Sequence, residues 1–140
     1  MDRLARVLAR IDDLNRPQPS ELEYAQRLTA WVARLSPEAS DALRIAARGQ
    51  HVRRWTIPRD QYPAGRAGYL KWRETLKRFH ADTVAAAMQA EGYPAEAIAR
   101  VRELIMKQRL GDDPETQVLE DALCLIFLES QFSDLRRKAP

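Results

Sequence analysis

The 140-residue sequence contains only one cysteine and two histidines. A single cysteine excludes an internal disulfide and excludes zinc sites that need several cysteines. The sequence also has no apolar run near the ~20 residues that cross a bilayer, and no stretch that alternates apolar and polar residues over strand length. We therefore expect a cytoplasmic, all-α protein with no membrane partner.

Length and hydrophobic content predict one domain over residues 1–140. At 45% hydrophobic residues the chain can build a single core, and the glycines and prolines lie mostly between segments of helical periodicity. About six such segments follow one another. We predict a single-domain orthogonal bundle of about six helices.

Polar residues and prolines predict where several helices begin. Ser20 followed by Glu23 has the spacing of a capping box, and Ser36-Pro37 has the pattern of a third helix start. Asp113-Pro114 predicts the start of the last helix, and a long helix is expected from about 67 to 90.

The stretch from Gln117 to Phe132 is apolar on nearly every side of a helical wheel, which predicts a central helix surrounded by the others. Glu120 and Asp121 come directly before seven apolar residues. A buried carboxylate needs a cation, a metal or hydrogen-bond donors, so we expect a partner for Asp121. Cys124 is interpreted as a packing residue.

Basic residues are concentrated between Arg48 and Arg78. This segment contains nine arginines and lysines but only two acidic residues, which gives it a net charge of +7. The longest irregular connection, from Thr56 to Gly65, lies inside this segment, and aromatic residues are interleaved with it. Arginine and aromatic side chains suit a phosphate-bearing partner. The predicted binding residues are Arg53, Arg54, Trp55, Arg66, Tyr69 and Arg73. The alternative is a solvated basic face.

Both histidines lie on helix faces that should be buried. We expect His51, His80 and Asp121 to converge from three helices, because each is the polar exception on an inward-facing stretch. Neutral imidazoles and a carboxylate can hold a divalent metal ion, whose identity the sequence does not specify. The same groups can also form a buried hydrogen-bonded network without a metal.

Two short motifs resemble those of the helical HD superfamily of metal-dependent phosphohydrolases. Ala46–His51 is similar to its Ala-Ala-x-x-His-Asp signature, and Leu119–Leu123 is similar to its late Asp-Ala-Asp stretch. Gln50-His51 stands where that family has a His-Asp metal pair. The resemblance implies an HD-like fold and hydrolysis of a phosphate ester with the help of a metal.

A closer resemblance, over nearly the whole chain, is to the family known as domain of unknown function 4202. It implies that the residues singled out above belong to one pattern, but brings no established activity. The segments that carry it are Ala47–Pro58, Gly65–Arg73, Phe79–Ala81 and Gln117–Asp121.

Two functions remain open from the sequence. As an enzyme, the protein would hydrolyse a nucleotide-like phosphate ester, with the metal held by His51, His80 and Asp121. Glu120 and Asp121 are the predicted catalytic residues, with Glu120 as the candidate base. As a binding module, it would hold the phosphates of a nucleotide, another small molecule or RNA in the arginine and aromatic pocket. The sequence does not indicate an oligomeric state.

Overall fold

Six α-helices account for most of residues 1–138, the part of the chain that the computed structural model describes. Two short 3-10 turns, Arg54–Thr56 and Arg59–Gln61, lie between the third and fourth helices. No β-strand occurs within residues 1–138, which confirms the predicted all-α class. The helices are α1 (Arg3–Asn15), α2 (Pro19–Leu35), α3 (Asp41–Arg48), α4 (Arg66–Ala90), α5 (Ala95–Met106) and α6 (Pro114–Lys138).

The short helix α3 lies at the centre of the fold. Its buried side chains, Leu43 and Ile45 to Ala47, have no exposed surface, and the helix contacts α1, α2, α5 and α6. The small alanine side chains allow these neighbours to approach closely. One continuous hydrophobic core forms around α3.

Helix α6 is not the surrounded helix that its composition predicts. It buries one face, formed by Thr116, Leu119, Ala122 and Ile126, mainly against α2. Beyond Ile126 almost every side chain is exposed, and Phe132 keeps 66% of its surface. The apolar residues of this half therefore have no covering neighbour among the described residues.

This orientation of α6 overturns two predictions. Asp121 and Cys124 are both exposed, because the buried face is set by Leu119 and Ala122. The Asp121 carboxylate accepts a hydrogen bond of 2.9 Å from Gln117 on the same helix. Asp121 is thus solvated and needs no buried partner, and Cys124 does not pack in the core.

The predicted starts of α4 and α6 are confirmed, whereas those of α2 and α3 are wrong. Asp113 accepts a hydrogen bond of 2.9 Å from the Glu115 backbone and caps α6, as predicted. Helix α2 begins at Pro19, without a side-chain cap, because proline is favourable at a first helical position. Helix α3 begins after Ser40, whose hydroxyl accepts from the Leu43 N–H at 3.1 Å.

The lengths and compositions of the described helices bear on membrane insertion. None of them combines the length and the apolar character needed to span a bilayer.

Candidate functional site

The chain after α3 makes a series of tight turns that position His51 and Arg54. Backbone hydrogen bonds join Val52 to Gly49 at 3.3 Å and Arg54 to His51 at 3.1 Å. Arg53 takes a left-handed conformation with a φ of 53°. Its N–H donates to Oδ1 of the buried Asn15 at 3.0 Å, so the last residue of α1 holds the turn in place. Arg53 therefore contributes its backbone to this turn.

A close contact between α3 and α4 brings the two histidines together. A side chain at Gly49 would have its Cβ 2.2 Å from Cγ2 of Val84, so only glycine allows the present spacing. The imidazole centroids of His51 and His80 are 6.1 Å apart. The ring of Tyr24 stacks on His51 from the other side, at 5.0 Å and 17°.

The two imidazoles contribute to a small basic cavity. Its interior volume is about 20 Å³, enough for about one water molecule. The walls come from the turn after α3, from α4 and from the residue that follows α5. The lining residues are Gln50, His51, Arg54, Arg73, Leu76, Lys77, His80 and Lys107.

Two of the four cations of this cavity have no carboxylate partner. Lys107 pairs with Glu120 at 2.6 Å, and Lys77 lies 3.9 Å from Glu74. Arg54 and Arg73 form no salt bridge with any acid within residues 1–138. The excess positive charge of the cavity therefore resides on two guanidinium groups, which suit bidentate contacts with phosphate or carboxylate.

The histidines are held in their neutral form. Burial, followed by the charge of Arg54, lowers the pKa of His51 to about 3. Burial also lowers the pKa of His80 to about 4, with Arg54 and Arg73 adding to the effect and the bond to the Val52 carbonyl opposing it. At neutral pH both rings are hydrogen-bonding groups without charge.

Several other basic residues of the Arg48–Arg78 segment serve the fold. Arg48 pairs with Asp12 at 2.7 Å and donates to the Thr29 hydroxyl at 3.0 Å. Arg59 donates to the backbone carbonyls of Tyr62 and Pro63 at 3.1 and 3.0 Å and thereby closes the loop before α4. These contacts explain part of the local charge without any ligand.

Comparison with known proteins places this arrangement in a family. The model of the family described as Domain of unknown function (DUF4202) matches residues 6–140. The chain belongs to this family. No curated protein and no solved structure matches it. All the residues that line the cavity lie inside the part of the chain that defines the DUF4202 domain.

Four residues that the sequence singled out do meet at this DUF4202 cavity. They are His51, Arg54, Arg73 and His80. The turn after α3 and the inward face of α4 bring them together, because both elements pack against the same side of the core. This part of the expected convergence agrees with the structure.

Six other predicted site residues, Glu120 among them, do not line the cavity. Arg53 and Arg66 are exposed, and Trp55 is half-buried in the first 3-10 turn. Tyr69 is also exposed and packs beside Trp72, with ring centroids 6.0 Å apart. The prediction that Asp121 joins the histidines is wrong, because the outer face of α6 carries it.

Glu120 contacts the cavity only indirectly, through Lys107. It is half-buried and does not line the cavity, but it forms the ion pair that fixes Lys107, which does. Its predicted role as a catalytic base stays a prediction.

Sequence reasoning missed three residues that contribute to the cavity: Gln50, Lys77 and Lys107. Lys77 follows Arg73 by one helical turn and could have been found from that spacing. Lys107 lies far along the chain, in a left-handed turn with a φ of 56°, and carries no comparable signal.

The donor set does not match a metal centre. Within residues 1–138 no three histidine, cysteine, aspartate or glutamate side chains are grouped so as to hold a metal ion. The two imidazoles alone fall short of the three protein ligands typical of catalytic zinc sites.

Proposed function

We propose that the chain binds a small phosphate-bearing molecule, such as a nucleotide, in the cavity between the turn after α3, α4 and Lys107. The observation that carries this proposal is the pair Arg54 and Arg73, two guanidinium groups at one cavity that form no salt bridge within the described residues. An anion that pairs with them would replace water with charge-assisted hydrogen bonds.

The cavity supports a small ligand better than an RNA strand. Its interior of about 20 Å³ admits no nucleic-acid strand, and a single phosphate group would enter as the flexible side chains of Arg54, Arg73 and Lys77 move outward. The aromatic residues Trp55 and Tyr69, which could stack on bases, do not line it. RNA binding would therefore need a surface outside the cavity.

Metal-dependent phosphohydrolysis on an HD-like fold receives less support. The residues present do not fit a divalent metal ion, because no carboxylate among residues 1–138 joins His51 and His80 in a group of three ligands. The same two neutral imidazoles suit hydrogen bonding to a bound ligand. Binding is therefore the function that the geometry favours.

Two neighbouring arginines provide a matched test. We expect Arg54→Gln to weaken binding of AMP and of inorganic phosphate at least about tenfold, because a charge-assisted hydrogen bond is lost. Arg53→Gln should leave the affinity unchanged, since that side chain is exposed outside the cavity. Titration calorimetry at low and at moderate salt measures both.

Affinity should also fall as salt rises, as for other phosphate contacts. Equal behaviour of the two variants, or failure of both probes to bind the wild-type chain at low salt, would contradict the proposal.

A further inference from the structure

The free edge of His80 accepts hydrogen bonds. Its Nδ1 lies 2.8 Å from the carbonyl oxygen of Val52. A carbonyl oxygen can only accept, so Nδ1 carries the hydrogen of the neutral ring. The other ring nitrogen, Nε2, then presents a lone pair, and the buried Val52 holds the ring in this tautomer.

A second acceptor, on another residue that lines the cavity, lacks a donor. Gln50 is only 5% exposed, and its Oε1 is buried without a hydrogen-bond partner among the described residues. Gln50 and His80 both line the cavity. Buried polar groups are normally paired, so an unpaired amide oxygen at a cavity indicates a missing donor.

The four cationic side chains of the cavity offer the opposite chemistry, whereas the neutral ring of His51 offers one donor and one acceptor. Arg54, Arg73, Lys77 and Lys107 are donors only, and they carry positive charge. Inorganic sulfate would satisfy these cations but has no hydrogen for Gln50 or His80 at neutral pH. The cavity therefore combines charged donors with at least two neutral acceptors.

On the basis of the proposed anion binding, we infer that the cavity selects anions that carry a hydrogen-bond donor over anions of equal charge that only accept. The donor is either the proton of a hydrogen phosphate oxygen or a hydroxyl group close to a phosphate ester. Both present one O–H to the acceptors while the other oxygens face the arginines and lysines.

Hydrogen phosphate and sulfate separate charge from donor capacity. At pH 8 both are tetrahedral dianions, but only hydrogen phosphate has an O–H. We expect calorimetric titration of the full chain to give at least about tenfold tighter binding of phosphate, since a buried acceptor left unpaired is costly. Equal affinities would overturn the inference for a phosphate proton.

A second pair of probes tests the alternative source of the donor. Ethyl phosphate and 2-hydroxyethyl phosphate differ by one hydroxyl. Tighter binding of the hydroxylated ester, with no preference for phosphate over sulfate, assigns the donor to the carbon-bound hydroxyl. Equal affinities within both pairs overturn the inference but leave anion binding intact. Failure of all four probes to bind overturns the proposed function as well.

Substitution of Gln50 links the selectivity to the cavity. Gln50→Leu removes the unpaired oxygen at similar size and should reduce the preference for the donor-bearing anion several-fold. Gln89→Leu, at an exposed position on α4, is the matched control and should keep that preference. An undiminished preference in a folded Gln50→Leu protein would contradict the assignment, and the wild-type comparison stands even if the variant does not fold.

Discussion

The pKa values of the half-buried His51 and the buried His80, about 3 and about 4, lie well below the 6.5 of a free histidine. Tyr24, Arg54, Arg73 and the Val52 carbonyl surround them. As the pH falls below 6.5, the two histidines therefore become protonated in the unfolded chain but stay neutral in the folded chain. Their contribution to stability is complete above pH 6.5 and is lost as the pH falls toward 4.

We predict that the urea midpoint falls steadily between pH 6.5 and pH 4. The loss should be on the order of 3 kcal/mol for His80 alone, from a pKa difference of roughly 2.5 units. The double variant His51→Gln, His80→Gln should have a much flatter profile in this range. A wild-type midpoint that stays constant from pH 7 to pH 5 would show that the rings are solvated.

Asp113 contributes to a different part of the pH range. Its hydrogen bond with Arg100 holds the pKa of its carboxyl at about 2, below the usual 3.8. The contribution is present above pH 3.8 and disappears as the pH falls toward 2. The loss of stability from the histidines thus begins near pH 6.5, whereas the loss from Asp113 begins only below pH 3.8.

At the scale of elements, Asp113 joins the end of α5 to the start of α6. It caps α6 through the Glu115 N–H at 2.9 Å and receives a hydrogen bond from Arg100 at 3.0 Å. Arg100 also pairs with Glu103 and Glu115. One buried carboxylate therefore fixes the angle between two helices.

We predict that Asp113→Ala lowers the free energy of unfolding by about 2–3 kcal/mol, through loss of the cap and of the Arg100 contact. The neighbouring Asp112 provides the control. It is exposed and pairs only with the exposed Arg109 at 3.1 Å, so Asp112→Ala should cost under about 0.5 kcal/mol. Similar urea midpoints for the two variants would rule out the linking role of Asp113.

Most helices could be predicted from local signals, but the surroundings of α6 could not. Proline and glycine mark the starts of α4, α5 and α6, and these signals act within a few residues. Whether the apolar second half of α6 is covered depends on how far α2 extends beside it. Arg27 and Trp31 of α2 reach Glu129, with side-chain hydrogen bonds of 3.0 and 2.6 Å, and no local pattern in α6 contains the information that the cover ends near there.

At the scale of the whole molecule, the cavity could be predicted only where a local signal marks its residues. The basic segment marks Arg54 and Arg73, and the inward helix faces mark His51 and His80. Lys107 reaches the cavity because α5 packs against α3 and α4, and this is a contact between segments distant in sequence. The prediction for Asp121 failed because it took the burial of this residue from its apolar neighbours in the sequence, which lie on other faces of α6.

The contact between Gly49 and Val84 sets how closely α3 approaches α4. The φ of Gly49 is −98°, so alanine strains no backbone there, and only the 2.2 Å approach to Val84 opposes it. We predict that Gly49→Ala costs about 1–3 kcal/mol by overpacking and weakens phosphate binding. Urea melts and calorimetry measure the two effects.

The double variant Gly49→Ala, Val84→Ala is the control for this contact. The methyl group at position 49 should fill part of the space that Val84→Ala leaves, so the two costs should sum to more than the cost of the double variant. Additive costs would mean that the two helices adjust independently of this contact.

If this contact limits the combined volume of the side chains at positions 49 and 84, substitutions at these two positions should be correlated across the DUF4202 family. A member with alanine or serine in place of Gly49 should carry a smaller side chain in place of Val84, and a member with a larger residue on α4 should retain glycine. The spacing of the two imidazoles could then persist while both residues that set it are exchanged.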